Sequence, residues 1–179
     1  YVHIGGDEVE KTNWKKCPDC QKRMHDNNLK TEEELQSWFI HDMERFFNEK
    51  GKEMIGWDEI IEGGLSKTAT VMRWRSWVKD AATKTTAQGN PVIFTPNGQF
   101  YLDYAEDKNS MASIYNLDTT DNLTSEQQSL ILGVQGNIWC EWIPSNARMQ
   151  YMAIPRLLAI AELGWSKPAQ IDWNAFNQR

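Results

Sequence analysis

Short apolar runs alternate with longer amphipathic stretches along the chain. A run of apolar and β-branched residues that ends in glycine, aromatic or acidic residues predicts a buried β-strand. Such runs occupy residues 1–4, 53–59, 68–75, 92–95 and 130–139. Because helical stretches separate most of these runs, the order predicts parallel strands joined by right-handed crossovers, which is an α/β fold.

The clearest helix signal covers Thr31–Lys50. Thr31 is a suitable N-cap, acids fill the first turn with Glu34 at the capping-box position, and Gly51 follows the last turn. A second helical stretch covers residues 146–163, and Pro155 within it predicts a kink or a break. Further helix-like sequence covers residues 78–88 and 173–179, and polar loops are expected at residues 11–30 and 110–122.

The number of strand–helix units indicates part of a barrel. The chain has 179 residues, whereas a barrel of eight such units typically takes ~250 residues. Polar and aromatic residues gather at the carboxyl ends of the predicted strands, where barrels and open α/β sheets place their sites. The sequence therefore predicts a partial (β/α)8 TIM barrel in which residues 1–179 form a single fragment of a longer protein.

Two adjacent acids follow the first strand. Neighbouring residues on a regular strand point to opposite faces, so Asp7 and Glu8 could not serve one cavity if the strand continued. Gly5 and Gly6 come directly before them and allow the backbone to turn, so that both side chains can face one site. Of two close carboxyl groups, a partly desolvated one tends to keep its proton, which makes a proton donor beside an anion. The alternative is a strand end with solvated acids or a helix cap.

Net charge and the pattern of apolar residues limit the classes of partner that the chain could bind. A formal net charge of −6 and a pI near 5.1 argue against nucleic acid or an anionic membrane surface. No apolar run approaches the ~20 residues that cross a bilayer. The chain has nine tryptophans, whose flat faces suit stacking on a sugar ring as well as packing in a core.

The cysteines do not predict a metal site. Cys17 and Cys20 have the spacing of half a zinc knuckle, but His25 and Cys140 do not supply the second pair. We interpret Cys17 and Cys20 as structural, with a local disulfide at most. No metal or cofactor is expected.

The strand-end motifs, taken together and in order, resemble family 20 glycoside hydrolases, the β-N-acetylhexosaminidases. The resemblance covers essentially the whole chain and rests on these motifs: His3-Ile4-Gly5-Gly6-Asp7-Glu8-Val9, Gly56-Trp57-Asp58-Glu59, Val71-Met72-Arg73-Trp74, Tyr101-Leu102-Asp103 and Gly136-Asn137-Ile138-Trp139-Cys140-Glu141-Trp142. It implies that the chain holds approximately strands 4 to 8 of the catalytic barrel. It also implies hydrolysis of terminal β-linked N-acetylhexosamine from oligosaccharides or glycoconjugates, and favours a periplasmic or secreted location.

The resemblance implies a role for each catalytic residue. Glu8 would be the general acid that protonates the leaving oxygen and then the base that activates water. Family 20 uses the acetamido oxygen of the substrate as nucleophile, through an oxazolinium ion. Asp7 would accept the acetamido N–H, and Tyr101 would donate its hydroxyl to the acetamido oxygen.

The resemblance also implies the binding residues. Trp57, Trp74 and Trp139 would wall the acetamido pocket and floor the sugar ring, although tryptophans at these positions can also be core. Asp103 and Glu141 would bind the 4- and 6-hydroxyl groups. Trp77 and Trp142 are left unassigned, between core packing and the leaving-group side.

The upstream barrel strands are not in this chain, and in the family the first of them supplies a sugar-binding arginine. We therefore expect the isolated fragment to have little or no activity. We also expect it either to self-associate through its open sheet edges or to belong to a longer chain. Competing interpretations are a catalytically silent N-acetylhexosamine-binding module, a two-carboxylate glycosidase, and a structural protein. The pair Asp7 and Glu8 argues against the first, because binding alone requires no protonated acid.

Overall fold

The computed structural model describes residues 1–106, 110–120 and 122–179. Its five parallel strands form one sheet in chain order, so the predicted α/β fold of parallel strands is confirmed. The strands are β1 (Val2–His3), β2 (Met54–Trp57), β3 (Thr70–Arg73), β4 (Val92–Phe94) and β5 (Ile131–Val134). Parallel order places the carboxyl ends of all of them at one edge, where the predicted site residues follow.

Helices fill the connections between the strands and also follow the last strand. They are α1 (Pro18–Asp26), α2 (Glu32–Glu49), α3 (Ala81–Ala87), α4 (Asn97–Phe100), α5 (Met111–Tyr115), α6 (Ser125–Gln128), α7 (Asn146–Ala153), α8 (Arg156–Trp165) and α9 (Trp173–Gln178). Short 3-10 helices cover Asp58–Ile61, Cys140–Trp142 and Pro168–Gln170. The helix predicted for Thr31–Lys50 is confirmed, and Thr31 Oγ1 accepts the Glu34 N–H at 3.2 Å as its cap.

The region predicted as a polar loop before α2 contains helix α1. Cys17 begins this helix: its Sγ accepts the Cys20 N–H at 3.4 Å, and Pro18 occupies the first turn. Both cysteines are free thiols in the structure. The apolar pattern did not reveal α1 because Met24 is its one buried residue.

The last strand and the helices after it differ in length from the sequence prediction. Strand β5 ends at Val134, five residues before the predicted Trp139. A register shift interrupts its pairing with β4, and Gly133 has a φ of 150°. The break predicted at Pro155 is confirmed: α7 ends at Ala153 and α8 begins at Arg156. Helix α5 occupies part of the loop predicted for residues 110–122.

The sheet packs on both faces. On the face covered by helices, Ile40 of α2 packs with Met54 and Val71 in one buried cluster, and Ile160 of α8 belongs to a second buried cluster. The opposite face carries Trp57, Met72, Trp74 and Tyr101. At the β5 end the apolar side chains are open to solvent: Leu132 is 53% exposed, Leu158 51% and Trp165 91%.

Neither a membrane-crossing helix nor a cluster of metal ligands occurs among the described residues. None of the described helices combines the length and apolar character that a membrane crossing requires. Within residues 1–106, 110–120 and 122–179, no group of three or more His, Cys, Asp or Glu side chains could hold a metal ion.

Candidate active site

The acid pair follows a turn that only glycine accommodates easily. Gly5 and Gly6 have φ of 72° and 95°, so the chain leaves extended geometry just before Asp7. Two bonds from other elements hold the turn: the Trp57 N–H donates to Gly5 O at 2.9 Å, and Gln36 Nε2 donates to Gly6 O at 2.8 Å. The acid pair therefore starts from a fixed backbone.

The Asp7 side chain turns back toward the end of β1. Its Oδ1 lies 3.3 Å from the point where a Cβ on Gly5 would sit. Nearby, His3 Nδ1 accepts the Gly5 N–H at 3.0 Å, which leaves its proton on Nε2. Partial desolvation lowers the pKa of His3, and the Asp7 carboxylate opposes that shift. An imidazole with a lowered pKa therefore lies near the carboxyl group of Asp7.

Glu8 is held through its backbone. Its φ of 48° lies in the left-handed region, which non-glycine residues seldom adopt. Its N–H donates to Glu59 Oε1 at 3.5 Å, while the side chain of Glu8 is exposed. Glu59 Oε2 accepts Trp74 Nε1–H at 2.9 Å. One buried carboxylate thus connects the acid to a predicted wall residue.

A cluster of charges lies beneath this connection. Arg75 Nε donates to the fully buried Asp58 at 2.9 Å, and Arg75 Nη1 donates to Glu62 at 2.6 Å. Burial raises the pKa of Asp58 to about 7; Arg75 opposes the shift and Glu59 adds to it. One arginine cannot neutralise three neighbouring carboxyl groups, so Asp58 holds a proton up to near neutral pH.

A chain of aromatic rings, which we call the aromatic wall, runs along the carboxyl ends of the strands. Its members in order of contact are His3, Trp57, Trp139, Tyr101 and Trp74. The successive ring centroids are 4.8, 5.9, 5.7 and 6.1 Å apart. The last pair is stacked at 13°. Trp57, Trp74 and Tyr101 are at least nine-tenths buried, whereas Trp139 is 39% exposed, so the wall is rooted in the core and open at Trp139.

Tyr101 is suited to donate a proton in a hydrogen bond. Burial raises its pKa well above the usual range, and hydrogen bonding from Asn137 and Trp139 opposes the shift. The hydroxyl therefore stays protonated at every physiological pH. Backbone pairing between Tyr101 and Asn137 fixes this ring where the regular β4–β5 pairing has ended.

A cavity of about 470 Å³ opens beside the wall. Its lining combines aromatic and acidic side chains: Tyr101, Asp103, Tyr104, Trp139, Glu141 and Trp142, with Ala105. The Trp139 N–H donates to Asp103 Oδ1 at 3.4 Å, which joins the two lining segments. Tyr104 lies 5.8 Å from Tyr101, ring to ring. The cavity thus combines flat aromatic faces with hydrogen-bond acceptors.

The predicted site residues thus fall into two connected groups. Tyr101, Asp103, Trp139 and Glu141 share the cavity, and the aromatic wall links them to Trp57 and Trp74. Of the described residues, Asp7 and Glu8 do not line that cavity. Asp7 interacts electrostatically with His3, and the Glu8 N–H bonds to Glu59, which in turn binds Trp74. Trp77 packs edge-on against Trp74 at 5.3 Å and is 60% exposed, and Trp142 is 78% exposed, so neither belongs to the core.

Sequence reasoning did not assign several residues that shape the site. Glu59 and Asn137 lie within the quoted motifs, but only their contacts distinguish them from their neighbours. Arg156 has a motif-free position on α8, yet its buried guanidinium donates to Leu102 O at 2.6 Å and to Tyr104 O at 2.9 Å. Those bonds fix the backbone on both sides of Asp103.

Acidic residues beside a rooted aromatic wall, at the carboxyl ends of parallel strands, are the arrangement of a glycoside hydrolase site. The model of the glycosyl hydrolase family 20 catalytic domain matches residues 1–168. The chain therefore belongs to glycosyl hydrolase family 20.

Individual relatives agree with this assignment. The chain is 42% identical to a beta-hexosaminidase of Porphyromonas gingivalis, over 100% of this chain and 24% of that protein. A solved family 20 exo beta-N-acetylglucosaminidase from Vibrio harveyi superposes with a TM-score of 0.86 at 32% identity, covering 99% of this chain and 30% of the other. The beta-N-acetylhexosaminidase of Bacteroides fragilis gives 0.84 at 26% identity, covering 99% and 38%. The chain thus spans between about a quarter and two fifths of the length of these relatives, as expected for a partial barrel.

Proposed function

We propose that this chain is the carboxyl-terminal part of the catalytic barrel of a β-N-acetylhexosaminidase. The enzyme removes terminal non-reducing β-linked N-acetylhexosamine from oligosaccharides or glycoconjugates. The observation that carries this proposal is the connection of the acid pair to the aromatic wall: Glu59 joins the Glu8 amide to the Trp74 indole.

Glu8 acts as general acid and then as general base. Its side chain is exposed and can contact the leaving group of a bound substrate, while its backbone N–H is held by Glu59. It protonates the glycosidic oxygen as the bond to the anomeric carbon breaks. The acetamido oxygen of the sugar attacks that carbon from the opposite face and gives an oxazolinium ion. Glu8 then takes a proton from the water that opens this ion, so the configuration is retained.

Asp7 and Tyr101 orient the acetamido group from two sides. An anionic Asp7 accepts the acetamido N–H and stabilises the positive charge that develops on nitrogen as the ring closes. The raised pKa of Tyr101 keeps its hydroxyl protonated and able to donate to the acetamido oxygen. The Tyr101 hydroxyl thus has the protonation state that its role requires.

The remaining predicted residues bind the sugar. Trp57, Trp74 and Trp139 wall the acetamido group, and the burial of Trp57 and Trp74 in the core limits the entropy lost on binding. Asp103 and Glu141 line the adjacent cavity and accept hydrogen bonds from the 4- and 6-hydroxyl groups.

The isolated 179-residue chain is expected to be inactive. Its β5 end exposes apolar side chains such as Leu158, and the sheet has two unpaired edges, so self-association competes with folding into a competent site. Robust hydrolysis of an aryl N-acetyl-β-glucosaminide by the purified 179-residue chain would contradict this part of the proposal.

The test of function uses the full-length protein that contains this chain. It is assayed on 4-nitrophenyl N-acetyl-β-glucosaminide and on the matched β-glucoside, which lacks the acetamido group. We expect turnover of the first alone, and strong inhibition by a thiazoline analogue of the oxazolinium ion. Glu8→Gln should lower kcat about 10²- to 10⁴-fold on an unactivated substrate, whereas the control Glu10→Gln, a nearby exposed acid, should not.

The alternatives give different results. A binding module would show no turnover and unchanged N-acetylglucosamine affinity in Glu8→Gln. A two-carboxylate glycosidase would hydrolyse the β-glucoside and ignore the thiazoline. Either result rejects the proposal.

A further inference from the structure

Glu59 contacts two parts of the site at once. It lies on the 3-10 helix directly after β2 and is 8% exposed. Its Oε2 accepts the Trp74 indole N–H at 2.9 Å, and its Oε1 faces the Glu8 N–H at 3.5 Å and Arg75 Nε at 3.7 Å. The bond to Glu8 is long, as hydrogen bonds in a ligand-free site often are before they tighten in the substrate complex.

The backbone of Glu8 needs such a contact. Its φ of 48° costs on the order of 1–2 kcal/mol for an L-residue, so the conformation persists only where neighbouring groups support it. Ile60, the residue after Glu59, packs so closely against Gly6 that a Cβ there would lie 2.8 Å from Ile60 Cγ2. Two successive residues after β2 thus brace the turn that carries the acid pair.

Only an ionised carboxylate satisfies both donors. A carboxylate presents two acceptor oxygens, one for Trp74 and one for Glu8. Glutamine at this position would present one oxygen and one NH₂, so its NH₂ would face an N–H of one partner. Arg75 Nε lies 3.7 Å from Glu59 Oε1, so a positive charge faces this carboxyl group inside the protein.

Asp58 offers a matched comparison. It is buried beside the same Arg75, with its Oδ1 2.9 Å from Arg75 Nε. Asp58 interacts with Arg75 and with the Glu59 side chain, and among the described residues it has no hydrogen bond to Glu8 or Trp74. Asp58→Asn therefore removes a titratable carboxyl group beside Arg75 without removing the link between Glu8 and Trp74.

We propose that Glu59 is a positioning residue: it fixes the distance between the backbone of Glu8 and the indole of Trp74. The carboxyl group of Glu8 then faces the leaving oxygen of a sugar that is seated against the wall. This inference rests on the proposed function of Glu8 as general acid. It predicts that Glu59 matters most for substrates whose leaving group needs a proton.

The test compares Glu59→Gln with Asp58→Asn in the full-length protein. The substrates are phenyl and 2,4-dinitrophenyl N-acetyl-β-glucosaminide, of which the second leaves with little proton assistance. We expect Glu59→Gln to lower kcat/KM about 10- to 100-fold on the phenyl substrate, and far less on the dinitrophenyl substrate. Asp58→Asn should stay within about threefold of the wild type on both.

The outcomes separate this inference from the proposed function. An equal loss on both substrates in Glu59→Gln, no loss, or the same pattern in Asp58→Asn would overturn the positioning role while the wild-type activity stands. No hydrolysis of either substrate by the wild type would reject the proposed function itself.

Thermal unfolding shows whether Glu59→Gln is folded, and a second variant is used if it is not. If Glu59→Gln does not fold, Glu59→Asp decides, because it keeps the charge but is one methylene too short to reach both donors. The same dependence on the leaving group is expected from it. Failure of both Glu59 variants to fold, while Asp58→Asn folds, would mean that Glu59 is a structural carboxylate and would overturn the inference.

Discussion

Replacing Gly6 by alanine tests whether close packing against the 3-10 helix after β2 shapes the acid pair. The added Cβ would lie 2.8 Å from Ile60 Cγ2 and 3.8 Å from Ile40 Cδ1. Ile60 is 1% exposed and cannot swing into solvent. Either Ile60 or the backbone before Asp7 must therefore move.

The cost has two parts. A φ of 95° is unfavourable for alanine by about 1–2 kcal/mol. Overpacking against a buried side chain adds about 1–3 kcal/mol. Gly6→Ala should therefore lower the free energy of unfolding by about 2–5 kcal/mol. Gly51→Ala is the matched control, because Gly51 has a φ of 67° and nothing lies within 4 Å of the point where its added Cβ would sit; it should cost only the first part.

The assay is urea unfolding of the full-length protein, followed by tryptophan fluorescence, together with kcat/KM on an aryl N-acetyl-β-glucosaminide. Gly6→Ala should also lose activity because Asp7 and Glu8 follow directly, whereas Gly51→Ala should retain it. Equal stability of the two variants, with normal activity in Gly6→Ala, would refute the view that Ile60 braces the acid pair.

Two further predictions concern buried charges. The pKa of Asp58 is near 7 in the folded protein and near 3.8 in the unfolded chain. Between these pH values the folded protein binds a proton at Asp58 that the unfolded chain has lost. The free energy of unfolding therefore falls as the pH rises through this window. Asp58→Asn should remove up to about 4 kcal/mol of that pH dependence, measured as the difference in unfolding free energy between wild type and variant from pH 4 to pH 8; a constant difference would contradict it. Arg156→Met should lower the unfolding free energy by about 3–6 kcal/mol, because the carbonyls of Leu102 and Tyr104 lose a charged donor; a loss below 1 kcal/mol would show that water replaces the guanidinium.

The strand order and helix α2 could be predicted from sequence because their signals are local. Strands of a parallel sheet are buried on both faces and therefore appear as apolar runs. Helix α2 carries its own cap at Thr31 and its own stop at Gly51. Helix α1 could not be predicted, since a cysteine caps it and one methionine anchors it. The early end of β5 depends on the pairing with β4, which no local pattern of residues records.

The site residues at strand ends could be predicted, but their contacts could not. The sequence places Trp57, Asp58 and Glu59 side by side with no sign of which carboxylate lies closer to Arg75 and which one accepts the Trp74 N–H. The 3-10 turn after β2 decides this, because it aims the two successive acids at different partners. Arg156 lies 53 positions after Asp103, and only the packing of α8 brings its guanidinium to that loop.

The site is braced by buried charged groups as well as by apolar contacts. Glu59 links the acid-bearing turn to the wall, and Arg156 clamps the loop that carries Tyr101 and Asp103. A charge removed from water is costly unless it is paired, so each brace is stable in one arrangement of its partners and unfavourable in others. Apolar packing tolerates small shifts, whereas two hydrogen bonds accepted by one carboxylate do not. General acid catalysis needs a proton placed to within a fraction of an ångström. This difference is a physical reason for the buried Glu59 and the mostly buried Arg75, where a hydrophobic pair could fill the same space.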